Sequence, residues 1–237
     1  MKFNFFKANG LLNDFVIIPN FNFEDQKLLN DNILFLCDRK RGIGADQLLA
    51  IDKELNVLIW NQDGSVAKSC FNGFRCLGRL FFDEFGYDEK FEIKTPGGLV
   101  SVYDKDGKVG LEFQSKVEIK EVEEDVFFVN TGNLHKIYFS NEEPEKFADN
   151  IHNISCISKD VSKVDGGFKI RTFERGAGYT KACGSAAFAA ACVLDLKKER
   201  SLNLFFEAGN INHIKNQGTL MQVASADIVY KGVISLK

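Results

Sequence analysis

Two cysteines carry the strongest chemical signal in the sequence. Cys70 stands in Ser69-Cys70-Phe71-Asn72-Gly73, directly before a stripe of helical spacing formed by Phe74, Leu77, Phe81 and Phe85. Cys183 stands in Ala182-Cys183-Gly184-Ser185-Ala186, directly before a second helical run that is small on every side, Ala186-Ala187-Phe188-Ala189-Ala190-Ala191. A thiol at a helix N-terminus meets unpaired amides and the positive end of the helix dipole, which favour the thiolate. The same amides make a site for a carboxylate. The two contexts lie 113 residues apart, close to half the chain, and suggest an internal duplication. Two such helix ends facing each other across a cleft would place a thiol on either side of a substrate α-carbon. Inverting a stereocentre by proton transfer needs a base on one face, an acid on the other, and donors that stabilise carbanion character at the carboxylate. A lone cysteine is more often a small buried hydrophobe; the repeated context argues for a working pair.

The elements that must position these residues can be read from periodicity. Short apolar runs bounded by turn residues predict strands, among them Lys2–Lys7, Phe15–Pro19, Gln47–Ile51, Val57–Asn61, Val126–Val129, Phe168–Phe173, Ile228–Tyr230 and Val233–Leu236. Asp106-Gly107 and Asp165-Gly166-Gly167 read as hairpin turns. Helical spacing predicts helices over Glu24–Asp38, Asn72–Phe85 and Gly184–Lys197, with a weaker one over Glu143–Asn150. Many strands and few helices give an α+β protein. The duplication divides it into residues 1–114 around Cys70 and residues 115–237 around Cys183, with the last strand free to return to the first half.

Composition narrows the function. The 237 residues carry 30 basic and 33 acidic side chains, a net charge of −3, which argues against a general nucleic-acid binder. No apolar run reaches the roughly 20 residues of a membrane span, and the N-terminus has no secretory pattern. Six cysteines without a Cys-x-x-Cys pair or zinc spacing predict reduced thiols in a cytoplasmic protein, with no metal site. Cys37, Cys76, Cys156 and Cys192 read as packing residues. His135 reads as a structural hydrogen-bonder, and His152 and His213 show no constellation.

Six segments, in order, resemble the diaminopimelate epimerase family along essentially the whole chain. Asn9-Gly10-Leu11-Leu12-Asn13-Asp14-Phe15 resembles its GLGNDF segment, and Cys37-Asp38-Arg39-Lys40-Arg41-Gly42-Ile43-Gly44-Ala45-Asp46-Gln47 its CxRxxGIGADQ segment. Asn61-Gln62-Asp63-Gly64-Ser65 followed by Cys70-Phe71-Asn72-Gly73-Phe74-Arg75-Cys76 resembles NxDGS…CGNGxRC. Gly132-Asn133-Leu134-His135 resembles GNPH. Glu174-Arg175-Gly176-Ala177-Gly178, then Thr180-Lys181-Ala182-Cys183-Gly184-Ser185, resembles ERGxGxTxACGS.

The resemblance implies two pseudo-symmetric halves, each a curved, mostly antiparallel sheet wrapped around a central helix. It implies a cofactor-independent epimerase, using neither pyridoxal phosphate nor a metal, that interconverts LL- and meso-2,6-diaminoheptanedioate in lysine and peptidoglycan-precursor synthesis. Cys70 and Cys183 would be the acid/base pair. The main-chain amides of Phe71, Asn72, Gly184 and Ser185 would hold the reacting carboxylate. Asn13, Asn61, Asn153, Glu174 and Arg175 would hold the rest of the substrate, with Gln47 and Asn133 lining the site. The partner is a small amino acid, and dimers are common in such families, so a homodimer stays open.

The chain departs from the pattern at Leu12, Phe71, Tyr179, Leu134 and Ala186, where the family has glycine, glycine, glutamate, proline and glycine. A phenylalanine at 71 would be strained if that position needs a positive φ. Phe71 also keeps alternatives in play: a racemase of another amino acid such as histidine or proline, or a non-catalytic amino-acid-binding relative.

Overall fold

The computed structural model describes residues 1–113, 117–160, 162, 166–216 and 218–236. It is an α+β protein with three α-helices among these residues. The chain forms two compact units, residues 1–111 with 225–237, and residues 112–224. The chain passes from the first to the second within one strand, Lys108–Phe113. Residue 114, where the sequence suggests a division, lies outside the described residues, as does Asp165 of the expected Asp165-Gly166-Gly167 turn.

The first unit is built on a six-stranded sheet. Its strands are β1 (Lys2–Gly10), β2 (Asn13–Pro19), β3 (Gln47–Ile51), β4 (Val57–Asn61), the short β5 (Val66–Ala67) and the chain's last strand, Asp227–Ser235, which pairs antiparallel with β1 at the sheet edge. Only β2 and β3 run parallel, and α1 (Gln26–Cys37) is the crossover between them. α1 buries Leu29, Ile33, Leu36 and Cys37 against Phe3, Phe5, Val16, Ile18, Leu48, Ala50 and Trp60. Strand residues alternate faces, so the other face, with Phe15 and Leu49, is left for α2 (Phe71–Glu84). Two meandering strands follow, β6 (Lys90–Thr95) and β7 (Gly98–Lys105), and then β8 (Lys108–Phe113). The predicted Asp106-Gly107 turn joins β7 to β8, both residues at positive φ (51° and 78°).

The second unit repeats this order. A hairpin of β10 (Val126–Asn130) and β11 (Leu134–Phe139) stands where β1 and β2 stand, preceded by the exposed β9 (Glu118–Glu123). β11 and β12 (Asn153–Lys159) run parallel, as β2 and β3 do. β13 (Phe168–Glu174) and the short β14 (Gly178–Thr180) follow antiparallel, then α3 (Gly184–Leu196) and the strands β15 (Asn203–Phe206), β16 (Gly209–Asn216) and β17 (Thr219–Ala224). α3 is buried along almost its whole length and touches β10, β11, β12, β15, β16 and β17, which form one curved sheet with β13. β18 is the returning strand Asp227–Ser235. The two halves are thus pseudo-symmetric, each a mostly antiparallel sheet around a helix that follows a cysteine.

Two expectations fail locally. Over Glu143–Asn150 there is only a single 3-10 turn, Pro144–Phe147, because Ala148 turns extended and the segment has no apolar stripe to bury. The runs 228–230 and 233–236 are one strand, not two. Gly232 between them is needed for packing: a Cβ there would sit 2.9 Å from the Phe5 ring. The strands β9, β12 and β16 are polar enough in sequence to escape a hydrophobic-pattern reading.

α2 approaches its neighbours through glycine. A Cβ on Gly78 would stand 2.6 Å from Val109 Cγ1 and 2.7 Å from Val102 Cγ1. Alanine is the better helix former by about 1 kcal/mol, yet overpacking of this kind typically costs about 1–3 kcal/mol. Gly78→Ala should therefore lower the urea unfolding midpoint; an unchanged or raised midpoint would show that the valines can move aside.

Candidate active site

In the first unit Asn13 lies beside Cys70 at the start of α2. β1 and β2 pair through Gly10 and Asn13, and Leu11 and Leu12 turn the hairpin at φ 55° and 62°. Leu12 thus occupies a left-handed conformation that glycine adopts without strain, which gives the family's glycine at this position a physical reason. Asn13 Nδ2 donates to Asp46 Oδ2 at 2.9 Å, and Cys70 Sγ lies 4.0 Å from Asn13 Oδ1. Behind Asn13, Arg39 forks onto Asp14 with two bonds of 2.7 Å and reaches Asp46 Oδ1 at 2.7 Å. The Lys7 ammonium bonds Asp14 and the Gly44 carbonyl. Burial alone would raise the Asp14 carboxyl, but Arg39 and Lys7 outweigh it and hold the group well below the usual carboxylate range.

Gln47 and Asn61 are cross-strand partners. Gln47 Nε2 donates to Asn61 Oδ1 at 2.7 Å, and Asn61 Nδ2 to Ser65 Oγ at 2.9 Å. This chain turns Gln47 Oε1 into a buried atom without a partner, and Ser69 Oγ shares that condition.

Cys70 is the N-cap of α2, with φ −149° and ψ 101°, and Phe71 is its first helical residue. Phe71 is buried and does not have a positive φ, so the strain expected from a side chain there is absent. Asn72 is buried and its Oδ1 accepts from the guanidinium of Arg75, itself fully buried. The side chain of Asn72 is thereby committed to the helix.

The second unit repeats the constellation with charged groups. Cys183 caps α3 with φ −126° and ψ 113°. Its Sγ lies 3.4 Å from Ser185 Oγ. The helix end was expected to favour the thiolate, and at Cys183 the Ala186 amide does pull that way, but burial outweighs it. Burial pushes the thiol well above its ordinary value, the nearby Glu174 carboxylate adds to this, and the Ser185 hydroxyl and Ala186 amide only partly offset it. Glu174 is raised too by burial, with Thr180 and Cys183 pulling the other way. Asn153 Oδ1 accepts the Arg175 N–H at 2.9 Å, which ties Asn153 to the Glu174-Arg175 corner. Arg175 is exposed. Asn133 is exposed in the tight turn before β11, where Thr131 N–H donates to its carbonyl.

Two histidines differ from expectation. His135 makes no structural hydrogen bond: both ring nitrogens are buried without a partner. The reason is its seat in β11 between Val129 and Asn153, where Asn153 turns its oxygen to Arg175 instead. His213 does have a constellation. Its Nδ1 lies 3.3 Å from the Leu202 carbonyl and its Nε2 3.1 Å from Gln222 Nε2, and Gln222 donates to the Gly184 carbonyl at 2.9 Å. The first residue of α3 is thereby tied to a buried network. No motif marks Gln222; its place opposite His213 in β16 and β17 is a matter of register.

The remaining cysteines carry thiols made inert by burial. Cys37 and Cys156 are pushed up to about 11, Cys192 to about 12, and Cys76 further. Among the described residues no group of His, Cys, Asp and Glu gathers as a metal site, and no helix is long and apolar enough to cross a membrane.

The sequence profile of the diaminopimelate epimerase family matches residues 5–116. The diaminopimelate epimerase of Rickettsia felis is 30% identical, with 98% of this chain and 97% of the relative covered. The chain belongs to the diaminopimelate epimerase family. It is accordingly an isomerase of the racemase and epimerase class. The diaminopimelate epimerase of Pelagibacter ubique is 28% identical over 96% of this chain and 99% of its own. Among solved structures, a PhzF-family protein from Enterococcus faecalis superposes with a TM-score of 0.72 at 12% identity, covering all of both chains. A hydroxyproline epimerase from Agrobacterium vitis does so with a TM-score of 0.64 at 12% identity, covering 98% of this chain and 92% of its own. At such identities these neighbours share the fold.

The burial of His135 sets a pH dependence of stability. Desolvation, with repulsion from His152 added, pushes the imidazole down from 6.5 to about 4. The unfolded chain takes up a proton below about pH 6.5 and the folded chain does not. The associated stability is complete above that pH and is lost as pH falls toward 4, with a slope of at most about 1.4 kcal/mol per unit. Unfolding titrations of His135→Gln should show a shallower loss across this window than the parent protein. Identical slopes would mean that the imidazole finds a partner.

Proposed function

We propose that this protein interconverts LL- and meso-2,6-diaminoheptanedioate by transfer of the α-proton between two thiols, in lysine and peptidoglycan-precursor synthesis. The observation that carries this function is the duplication of chemistry at equivalent places. Asn13 and Asn133 open β2 and precede β11, Gln47 and Asn153 open β3 and β12, and Asn61 and Glu174 close β4 and β13. Cys70 and Cys183 cap α2 and α3. Buried polar atoms without partners gather beside these residues: Gln47 Oε1, Ser69 Oγ, Thr131 Oγ1 and both nitrogens of His135. Folded proteins leave few such groups, and they suit a ligand rich in ammonium and carboxylate.

One cysteine, as thiolate, takes the α-proton. Negative charge then develops on the adjacent carboxylate, where the first-turn amides of Phe71, Asn72, Gly184 and Ser185 stabilise it. The other cysteine, as thiol, returns a proton to the opposite face, and the pair ends with its protonation exchanged. Burial and Glu174 hold Cys183 as the thiol, which suits it to donate in one direction; the reverse reaction uses the same groups in exchanged roles. Arg175 takes the distal carboxylate with a forked pair of bonds, Glu174 takes the distal ammonium, and Asn13, Gln47, Asn61, Asn133 and Asn153 fix the remaining polar atoms. Neither pyridoxal phosphate nor a metal enters these steps. All six cysteines are thiols, which suits a reducing cytoplasm.

Proton NMR of the reduced protein with LL-diaminopimelate in heavy water tests this directly. Loss of the α-proton signal with appearance of the meso isomer is expected. Cys70→Ala and Cys183→Ala should each lower inversion by about 10³-fold or more, and Arg175→Ala should chiefly raise KM. Near-full turnover in either alanine variant would end the two-thiol mechanism. The buried Phe71 beside Cys70 favours a second substrate reading, a monocarboxylic amino acid; turnover of proline or histidine with none of diaminopimelate would establish it.

A further inference from the structure

We infer that Asp46 is a positioning residue that fixes which end of the Asn13 amide faces the Cys70 sulfur. A carboxylate only accepts hydrogen bonds, so its 2.9 Å contact assigns the Asn13 nitrogen to the Asp46 side. The amide oxygen is thereby the end left toward Cys70, at 4.0 Å. An oxygen in that place accepts from an S–H and repels a thiolate, whereas an N–H would do the reverse. Asp46 thus makes Cys70 a stronger base, by stabilising the S–H that forms when Cys70 has taken a proton.

The rest of the network holds Asp46 for this task. Arg39 Nη2 bonds Asp46 Oδ1 at 2.7 Å, leaving Oδ2 for Asn13, and the Asp14 N–H donates to the same Oδ2 at 3.2 Å. The Asp46 N–H in turn donates to Asp14 Oδ1 at 3.0 Å. Lys7, Arg39, Asp14 and Asp46 together carry no net charge, so their opposing charges partly cancel at Cys70 and the charge-neutral double variant below separates orientation from field. Arg75 on α2 and Asp227 on the returning strand also lie in this neighbourhood, where with Cys70 they act on the Cys76 thiol.

The bearing of this orientation on turnover rests on the epimerase function proposed above; its effect on the thiol does not, and is read without substrate. The experiment follows alkylation of Cys70 by iodoacetamide against pH, quantified on the Cys70 peptide by mass spectrometry. Asp46→Asn lets the Asn13 amide invert and should move the Cys70 midpoint down by about one unit, giving about tenfold faster alkylation near neutral pH. The charge-neutral double variant Arg39→Gln/Asp46→Asn should show the same shift, and carries the test alone if Asp46→Asn does not fold. Arg39→Gln by itself should not lower the midpoint, and Asp46→Glu should restore the parent profile. An unmoved midpoint in the double variant overturns the proposal, either because Asp46 does not orient Asn13 or because only the lost charge acted. In the substrate assay Asp46→Asn should lower kcat; absence of α-proton exchange in the parent protein would defeat the epimerase function while leaving the alkylation result to stand.

Discussion

Both halves depend on one constraint: a helix that presents polar main chain at its first turn must be buried along the rest of its length. α2 meets it with glycines at the points of closest approach. Gly73 lies against Phe15 and Leu49, and Gly78 against Val102 and Val109. α3 meets it with alanines from Ala186 to Ala191, all fully buried apart from Phe188, which keeps a small exposed fraction. α3 contributes little side-chain area of its own, whereas α2 also buries Phe74, Leu77, Leu80 and Phe81.

Burial of that depth changes the electrostatics of whatever sits at the helix end. A dipole and a few amides offer a thiolate modest help, whereas removing a charged sulfur from water costs more. Cys183 shows the balance going to burial, with Glu174 adding to it. A thiol held protonated in this way is no defect in a proton-transfer site.

The sequence made the helices, most strands and the two capping cysteines legible, because each depends on local pattern: apolar spacing over α2, small residues over α3, and turn residues between strands. It did not reveal β12 or β16, whose runs NISCISK and GNINHIKN mix polar and apolar residues at positions that only the neighbouring strands make sense of. Nor did it reveal the tie from Gln222 to the Gly184 carbonyl, which depends on strand register rather than on any motif. The expected strain at Phe71 rested on a glycine in related sequences. The backbone there is ordinary first-turn helix, so a side chain at 71 meets no φ penalty, whereas Leu12 sits at φ 62°.

The duplication also explains why the equivalent positions are chemically unequal. In the first unit the ends of β2, β3 and β4 carry only amides, Asn13, Gln47 and Asn61, and the charges lie one layer behind in Lys7, Asp14, Arg39 and Asp46, where they cancel. In the second unit the equivalent corner carries Glu174 and Arg175 themselves. A neutral first layer backed by a balanced ion network can orient a ligand without committing to its charge. A charged first layer commits to an ammonium and a carboxylate. The substrate proposed above, with two amino-acid heads, would use both kinds of surface: one that discriminates little by charge while the reacting centre changes protonation, and one that reads the fixed charges of the distant head. Of the three equivalent strand ends only the last differs in charge, Asn61 against Glu174; the other two carry amides in both units.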